Sequence, residues 1–478
     1  MVARMLSANP GWIELVAAGL FGLAVLHTFS TRYFEHLAHT QTAHAGLWHL
    51  LGEVETVFGF WAFVLLVFMA AALGWGAATD YLDERRFVEP MFVFVIMVIA
   101  ASRPIMQAAS DAVAAAARAL PLERGAATLF VSLALVPLLG SFITEPAAMT
   151  LAALMLRDTL FSRGVPARLK YAALGVLFVN VSIGGTLTSF AAPPVLMVAA
   201  KWGWSTPHIL GLMGWKSALA VFLNAAVLVA LFRRQLKQPA AEGDPGRQRV
   251  PLSFVALNLA ILALVVGSHH DPEVFMGLFL LFLGLAEAYR RHHDRLLLRE
   301  GLMVAFFLAG LVVLGGQQRW WLQDVLSRLD GTTLFFGAAA LTAVTDNAAL
   351  TYLGSLVDGT SEAFRYALVA GAVAGGGLTV IANAPNPAGF AILKDSFEEQ
   401  SINPFALFAA ALPPTLVAIA CLWGLRGSMS EVLDIAAWRA WFASLDRGFL
   451  FLLILPFVVA AVGLWAERNR RADRGESS

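Results

Sequence analysis

Long apolar runs alternate with short polar stretches along nearly the whole chain, and each apolar run predicts a helix. Each run approaches or exceeds the ~20 residues that a helix needs to cross a bilayer. The uninterrupted runs lie at 11–30, 53–74, 210–232, 251–267, 273–289, 300–316, 403–423 and 446–466. This pattern predicts an all-α polytopic membrane protein.

Further apolar stretches are interrupted near the middle by an acid, glycine or proline. Arg103-Pro104 interrupts 87–117. Two stretches, 125–160 and 332–357, are long enough for two short helices that meet at a tip, and we predict re-entrant hairpins there. Two others, 168–200 and 366–393, contain glycine-rich breaks and are predicted to be broken transmembrane helices.

The interruptions share one pattern, which occurs once in each half of the chain. The first copy reads Thr144-Glu145-Pro146, then Gly184-Gly185-Thr186-Leu187-Thr188 and Pro193-Pro194. The second reads Thr345-Asp346-Asn347, then Gly375-Gly376-Gly377-Leu378-Thr379 and Pro385. The acid-to-break separation is ten residues shorter in the second half. Duplicated interruptions of this kind mark the substrate site of secondary transporters.

The arrangement of spans and basic loops predicts that the two halves are inverted repeats. Each half makes an odd number of net crossings, so the second lies upside down relative to the first. Basic residues are then cytoplasmic, as is usual for loops rich in Lys and Arg. The predicted units are a first repeat at 1–234, a cytoplasmic linker at 235–250, a second repeat at 251–423, and an extra helix with a basic tail at 424–478.

Composition agrees with a membrane protein and excludes several other classes. Hydrophobic residues make up 59% of the chain and charged residues only 14%, against roughly 25% charged in soluble domains. The mean hydropathy is +0.71. Cys421 is the only cysteine, which excludes an internal disulfide or a cysteine-built metal site. The net charge of zero gives no indication of a nucleic-acid partner, and the first apolar run is expected to be a retained helix.

The chemistry of the interruptions favours a hard cation. Backbone that is not helical at membrane depth survives only when it is buried in protein or lines a wet cavity. Glycine permits the break and proline stops the helix from continuing through it. The freed carbonyls, with Thr, Asn and carboxylate oxygens, form an all-oxygen environment that suits such an ion. Because burial raises a carboxyl pKa and a bound cation lowers it, one acid can hold either a proton or a cation.

Each acid also has a purely structural interpretation as a helix N-cap or a surface loop acid. Thr-Asp-Asn is typical capping chemistry. An acid near the bilayer centre is costly, however, and is usually functional. The matched flanks of Glu145 and Asp346 favour the functional interpretation for the pair.

At these residues the chain resembles the ion transporter superfamily of secondary carriers, most closely its bacterial sodium/proton antiporter branch. The resemblance spans roughly 50–423 and implies two opposed hairpins whose tips pair with broken helices to bind Na⁺. The symporters of that superfamily carry Ser-Asn-Thr at the tips. Here Thr144-Glu145-Pro146 and Thr345-Asp346-Asn347 replace neutral ligands with acids, which favours cation/proton exchange over dicarboxylate transport.

We therefore expect exchange of Na⁺, with Li⁺ or K⁺ as alternatives, against protons by alternating access in the inner membrane of a bacterium. Asp346 and Glu145 are the expected carriers. One site would be lined by Thr345, Asn347, Thr379, Asn383 and Asn386, and the other by Thr144 and Thr188. The expected helix-break residues are Gly184, Gly185, Pro193, Pro194, Gly376, Gly377 and Pro385. No cofactor and no metal beyond transported Na⁺ is expected, and the resemblance implies a homodimer.

Two other functions stay open from the sequence. A carrier for a small anion, such as a dicarboxylate or an arsenite-like species, would need a fixed cation or free helix N-termini near the breaks. A membrane enzyme using Glu145 and Asp346 as paired acids would need a nucleophile or metal cluster, which the sequence does not place beside them. His36, His39, His44 and His49 are expected in one aqueous loop, where they could sense pH or bind a metal.

Overall fold

A computed structural model describes residues 11–236 and 249–425, and this part of the chain is helical without a strand. The helices of the first half are α1 Trp12–Thr40, α2 Ala45–Gly52, α3 Val54–Leu73, α4 Trp75–Asp83, α5 Val88–Ala100, α6 Arg103–Ala119, α7 Arg124–Ile143, α8 Glu145–Thr159, α9 Ala167–Gly184, α10 Pro193–Trp202, α11 Thr206–Ile209 and α12 Trp215–Phe232. Those of the second half are α13 Leu252–Gly267, α14 Pro272–Ala288, α15 Leu298–Gly315, α16 Arg319–Leu326, α17 Gly331–Thr342, α18 Asn347–Ser355, α19 Glu362–Gly375, α20 Asn386–Leu393 and α21 Pro404–Ile419.

The described residues contain seven helical segments that are long and apolar enough to cross a membrane. They are Trp12–Thr31, Val54–Leu73, Arg124–Ile143, Ala167–Leu187, Thr206–Phe232, Leu298–Gly315 and Pro404–Gly424. An eighth is added if α5 and α6, which meet at an angle of 67°, form one broken span. The bend lies at the interruption predicted from Arg103-Pro104, because Pro104 has no amide hydrogen to bond the carbonyl of Ala100 and its ring would clash with that carbonyl in a continuous helix. The prediction of an all-helical polytopic membrane protein is confirmed.

The two stretches predicted as hairpins each contain two helices separated by a short turn. In the first, α7 ends at Ile143 and α8 begins at Glu145, so that only Thr144 separates them. Thr144 adopts a φ of 73°, which is rare for a residue other than glycine. In the second, residues 343–346 separate α17 from α18. The helix boundaries therefore lie at the two predicted tips.

The glycine-rich interruptions end the helices α9 and α19 in a similar way. α9 ends at Gly184, a short 3₁₀ turn follows, and Thr188 is extended before α10 begins with Pro193-Pro194. α19 ends at Gly375, and Thr379 and Asn383 are extended before α20 begins next to Pro385. We call residues 184–192 the first break and residues 375–385 the second break.

Helix packing places the two breaks in the interior and brings helices of the first half into contact with helices of the second half. α9 packs against α7, α12 and α21, and α19 packs against α17 and α21. The hairpin helix α8 of the first half packs against α20 of the second, and α18 of the second half packs against α10 of the first. The helices that follow the two turns thus pack against the helices that follow the breaks of the opposite half.

The structure corrects the sequence analysis in the histidine-rich segment. The four histidines are not in one loop, because α1 continues to Thr40 and so includes His36 and His39. His44 ends a short 3₁₀ turn, and His49 lies within α2. No glycine or proline interrupts residues 31–40, so the helix has no reason to stop earlier. Within residues 11–236 and 249–425, no group of three or more acidic, His or Cys side chains is placed to hold a metal ion.

Some helices of the structure were not predicted from the sequence, and some predicted segments lie outside the described residues. The short helices α2, α4 and α16 were not predicted. The expected helix at 446–466, the basic tail and most of the 235–250 linker lie outside the described residues.

We predict that Gly175→Ala will destabilise the protein. The added Cβ would lie 2.6 Å from the backbone carbonyl of Ala410, so α9 and α21 would have to move apart. Overpacking of this kind costs ~1–3 kcal/mol, and thermal unfolding in detergent should show a lower midpoint. Gly277→Ala is the matched control, because nothing lies within 4 Å of its Cβ position. Equal midpoints for the two variants would contradict the close approach of α9 and α21.

Candidate functional site

Glu145 lies between the first break and the second break. It is the first residue of α8 and is fully buried. Asn383 of the second break donates a hydrogen bond from Nδ2 to Oε2 of Glu145 at 2.9 Å. A side chain at Gly185 of the first break would collide with Oε1 of Glu145, so glycine allows this close approach. The carboxylate therefore joins elements of both halves.

Ser141 ties the first hairpin turn to the first break, and the sequence analysis missed it. Its Oγ donates to the carbonyl of Gly184 at 2.7 Å and accepts from the amide of Leu187 at 2.9 Å. Thr188 in turn donates from Oγ1 to the carbonyl of Ser141 at 2.7 Å. A serine one helical turn before the acid was the available signal. These bonds satisfy backbone groups that the break leaves without helical partners.

Asp346 caps α18 and is less buried than Glu145. Its Oδ1 accepts hydrogen bonds from the amides of Ala348 at 2.8 Å and Ala349 at 3.0 Å. The side chain is half-buried, and the amide of Ala384 in the second break also interacts with it. The capping interpretation is therefore correct for Asp346. It does not exclude a carrier role, because the cap lies beside the break.

Two further electrostatic contacts link the acids to each other and to a third carboxylate. Asp346 acts electrostatically on Glu145. Glu55, a half-buried residue in the first turn of α3, acts in the same way on Asp346. Glu55 was not predicted as a site residue from the sequence. Its position in the first turn of an otherwise apolar helix was the signal that could have distinguished it.

The second break is held together by its own polar side chains. Asn386 donates from Nδ2 to the carbonyls of Gly376 and Thr379, both at 2.8 Å. Thr379 donates from Oγ1 to the carbonyl of Ala343 in the second hairpin turn at 2.8 Å. Asn347 is fully buried beside Gly376, where a Cβ would lie 2.8 Å from its Nδ2. Thr345 is half-buried at the same turn.

The structure brings Asn383, which we grouped with the residues of the second half, against Glu145 of the first half. The reason is the cross-packing of α8 on α20, which brings the second break to the first hairpin turn. Sequence separation alone gives no indication of such a contact between halves.

Five buried oxygens at the two turns and breaks have no hydrogen-bond partner within the protein. A buried polar atom left unpaired costs ~1–3 kcal/mol, so a cluster of them needs an explanation. They come from both halves of the chain and from both types of interruption. They are Thr144 Oγ1, Glu145 Oε1, Asn347 Oδ1, Asn383 Oδ1 and Asn386 Oδ1. Oxygens of this kind are the ligands that hard cations prefer.

The predicted helix-break residues occupy the ends of the helices. Gly184 lies against α7, where a Cβ would be 2.7 Å from the carbonyl oxygen of Pro137. Gly377 lies equally close to α9, against the backbone of Val179. Pro193 and Pro194 occupy the first turn of α10, where the missing amide hydrogens cost no helical bond. Pro385 precedes α20 in the same way.

A buried cation lies close to the first break on α12. Lys216 is 3% exposed and donates from Nζ to Oη of Tyr366 at 3.1 Å. Its neighbour Ser217 forms a hydrogen bond of 2.8 Å with Thr186 of the first break. This lysine was not predicted from the sequence as a cation near the breaks. A lone Lys within the apolar run 210–232 was the signal.

These observations define a polytopic membrane protein with a polar centre built from two interrupted helices. The chain belongs to the family described as "Putative Na⁺/H⁺ antiporter", whose model matches residues 12–425. The membership groups the chain with transporters rather than enzymes and confirms the resemblance to sodium/proton antiporters. No curated protein matches the chain.

We predict that Ser141→Ala will destabilise the protein by ~1–3 kcal/mol, because it leaves the Gly184 carbonyl and the Leu187 amide unpaired in the interior. The thermal midpoint in detergent is the measurement. Ser162→Ala is the control, since that exposed hydroxyl only bonds the carbonyl of Asp158 in its own chain segment. A Ser141→Ala midpoint equal to that of the control would show that the first break does not depend on this hydroxyl.

Proposed function

We propose that the protein exchanges Na⁺ against protons, with Li⁺ or K⁺ as alternative cations, and that Glu145 and Asp346 carry the exchanged ions. The cluster of unpaired buried oxygens around Glu145, together with the family membership, carries this proposal. The side chains that would line the path are the turn and break residues already described. Resident cofactors and resident metals have no part in the proposed mechanism.

Competition for one carboxylate explains how the two fluxes are coupled. An ionised Glu145 would attract a cation, and the amide of Asn383, which contacts this carboxylate, would supply a further oxygen ligand. Asn347 and Asn386, beside Gly376 of the second break, would contribute the other amide oxygens. A proton on the carboxylate removes the negative charge and with it most of the attraction for the cation. The site therefore releases the cation when it takes up a proton, and the reverse occurs on the other side of the membrane.

The half-buried Asp346 would act as the second carrier, exchanging ions with the surface more readily than Glu145. Its electrostatic contact with Glu145 means that charging one acid disfavours charging the other. A cation between the two turns would relieve that repulsion. This coupling supports the assignment of both acids to one exchange process rather than to two independent sites.

We also propose that the two halves are inverted repeats and that the protein works by alternating access between them. The crossed packing of α8 on α20 and of α18 on α10 supports it, because each hairpin helix packs against the broken helix of the other half. A movement of one hairpin-bearing unit would shift both breaks together. We also propose a homodimer in the inner membrane of a bacterium, by resemblance to the superfamily.

An anion carrier is the second candidate, and Lys216 is the observation that favours it. A buried ammonium group near the first break could attract a carboxylate substrate. Its Nζ, however, donates to Tyr366, whereas the unpaired atoms of the centre are mainly oxygens that repel an anion. The charge pattern therefore favours a cation.

We predict that Asp346→Asn and Glu145→Gln each reduce exchange at least about tenfold, because an amide cannot trade a proton for a cation. Everted vesicles with a pH-sensitive dye report proton movement after addition of NaCl, LiCl or KCl, and radiolabelled succinate tests the anion candidate. Asp324→Asn and Glu273→Gln, at exposed acids, are matched controls and should retain activity.

Exchange that survives both changes in a properly inserted protein would refute the two acids as carriers. Succinate uptake without a proton response to any of the three cations would favour the anion carrier instead. Membrane abundance of each variant, measured on the same vesicles, separates a lost site from a misfolded protein.

A further inference from the structure

A partly open cavity of about 310 Å³ lies at one end of the helix bundle and reaches the first break. It is located where α5 and α11 begin and where α10 and α13 end. Its lining includes side chains that the proposed exchange does not yet use. The polar or small residues that matter here are Glu89, Ser189, Ala199, Thr206, His269 and His270.

The floor of the cavity is continuous with the first break. Ser189 lines the cavity and directly follows Thr188, whose hydroxyl bonds the carbonyl of Ser141. Ser189 is itself fixed by Thr206, with a distance of 3.0 Å between the two hydroxyl oxygens. The backbone at Thr188 is extended. One residue of extended chain therefore separates the cavity from the polar contacts of the first hairpin turn.

The charges around the cavity favour cations. Glu89 is half-buried on the wall, in the first turn of α5. Burial, and after it the neighbouring His270, lowers the pKa of His269, so that this imidazole is neutral near pH 7. The ionisable groups that act on Glu89 or on His269 are Arg86, His270, Asp271 and Tyr352. Arg86 is exposed, whereas Glu89 lines the cavity. The low dielectric of the surrounding protein strengthens the electric field of a charged group in such a cleft.

We propose that this cavity is an aqueous vestibule through which cations reach the first break, and that Glu89 is the residue that selects cations over anions. The role of this vestibule rests on the proposed cation exchange, but its accessibility and its preference for cations can be tested without measuring transport. It adds an entrance on one side of the molecule to the central carboxylates. The Ser189–Thr206 pair forms the narrow end of this entrance.

Cysteine accessibility tests the vestibule directly. Cys421, the only cysteine and a buried one, is replaced by alanine, and Ala199→Cys is introduced in the cavity wall. The purified protein is labelled with two methanethiosulfonates of similar size, one carrying a trimethylammonium group and one a sulfonate. The labelling rate of each reagent with the protein is divided by its rate of reaction with 2-mercaptoethanol, which corrects for the intrinsic reactivity of the reagent. Ala225→Cys, buried in α12 away from the cavity, is the inaccessible control.

We expect the cationic reagent to label Ala199→Cys about tenfold faster than the anionic one after this correction. Adding Glu89→Gln should bring the ratio close to one while labelling continues. Ala200→Cys, exposed on the same helix and lining the same cavity, replaces Ala199→Cys if that variant does not fold. Absence of labelling at both positions, equal rates, or a preference for the anionic reagent would overturn the vestibule.

A transport measurement then separates this inference from the proposed function. Labelling of Ala199→Cys with the cationic reagent should reduce Na⁺/H⁺ exchange in proteoliposomes at least about tenfold, since the reagent blocks the entrance. Selective labelling in a protein that never exchanges cations would refute the proposed function and leave the vestibule in place. Undiminished exchange after complete labelling would refute the vestibule alone.

Discussion

The structure depends on one constraint. Backbone amide and carbonyl groups that lack helical hydrogen bonds must be hydrogen-bonded by other protein groups where water is absent. Two helices of this chain stop in the interior, and each stop exposes carbonyl and amide groups. Ser141 and Asn386 supply bonds to these groups. Thr188 and Thr379 of the breaks donate in turn to carbonyls near the adjoining turns. The hairpin turns are positioned by the same bonds, so the breaks and the turns form one unit in each half.

The contact between Glu145 and Asn383 then joins the two units. A carboxylate of the first half is held by an amide of the second, in a fully buried position. Oε1 of Glu145 and Oδ1 of Asn383 have no hydrogen-bond partner within the protein, and in the proposed function these oxygens would hold the exchanged cation. Any change in the charge of Glu145 acts on both breaks at once. That is the physical link by which binding at the centre could bias the arrangement of the halves.

Much of the fold could be predicted from the sequence, because apolar runs, glycines and prolines act locally. The turns at Thr144 and Asp346 and the helix ends at Gly184 and Gly375 all lie where the repeated pattern indicated. The re-entrant course of the two helix pairs stays a prediction. The short helices α2, α4 and α16 were missed because they are too short to give a clear apolar run. The continuation of α1 through His36 and His39 was missed because polar residues were equated with a loop.

The candidate site was predicted in its residue types and less well in its contacts. The contact of Asn383 with Glu145 could not be predicted, because the packing of α8 on α20 is long-range and has no local signal in the sequence. Ser141, Glu55 and Lys216 were passed over because a single polar residue in an apolar run is common and carries little information without its neighbours. Their roles emerge only when packing brings them to the turns and breaks.

Competition between a cation and a proton for the central carboxylates is tested most directly by binding rather than by transport. Purified protein in weakly buffered solution is titrated with NaCl at several pH values, while Na⁺ binding is followed by calorimetry and proton release by a pH electrode. The account predicts that protons are released as Na⁺ binds, and that the apparent Kd for Na⁺ rises about tenfold for each unit that the pH falls below the carboxyl pKa, if one proton is exchanged. Na⁺ binding without proton release, at an affinity that does not change with pH, would contradict it.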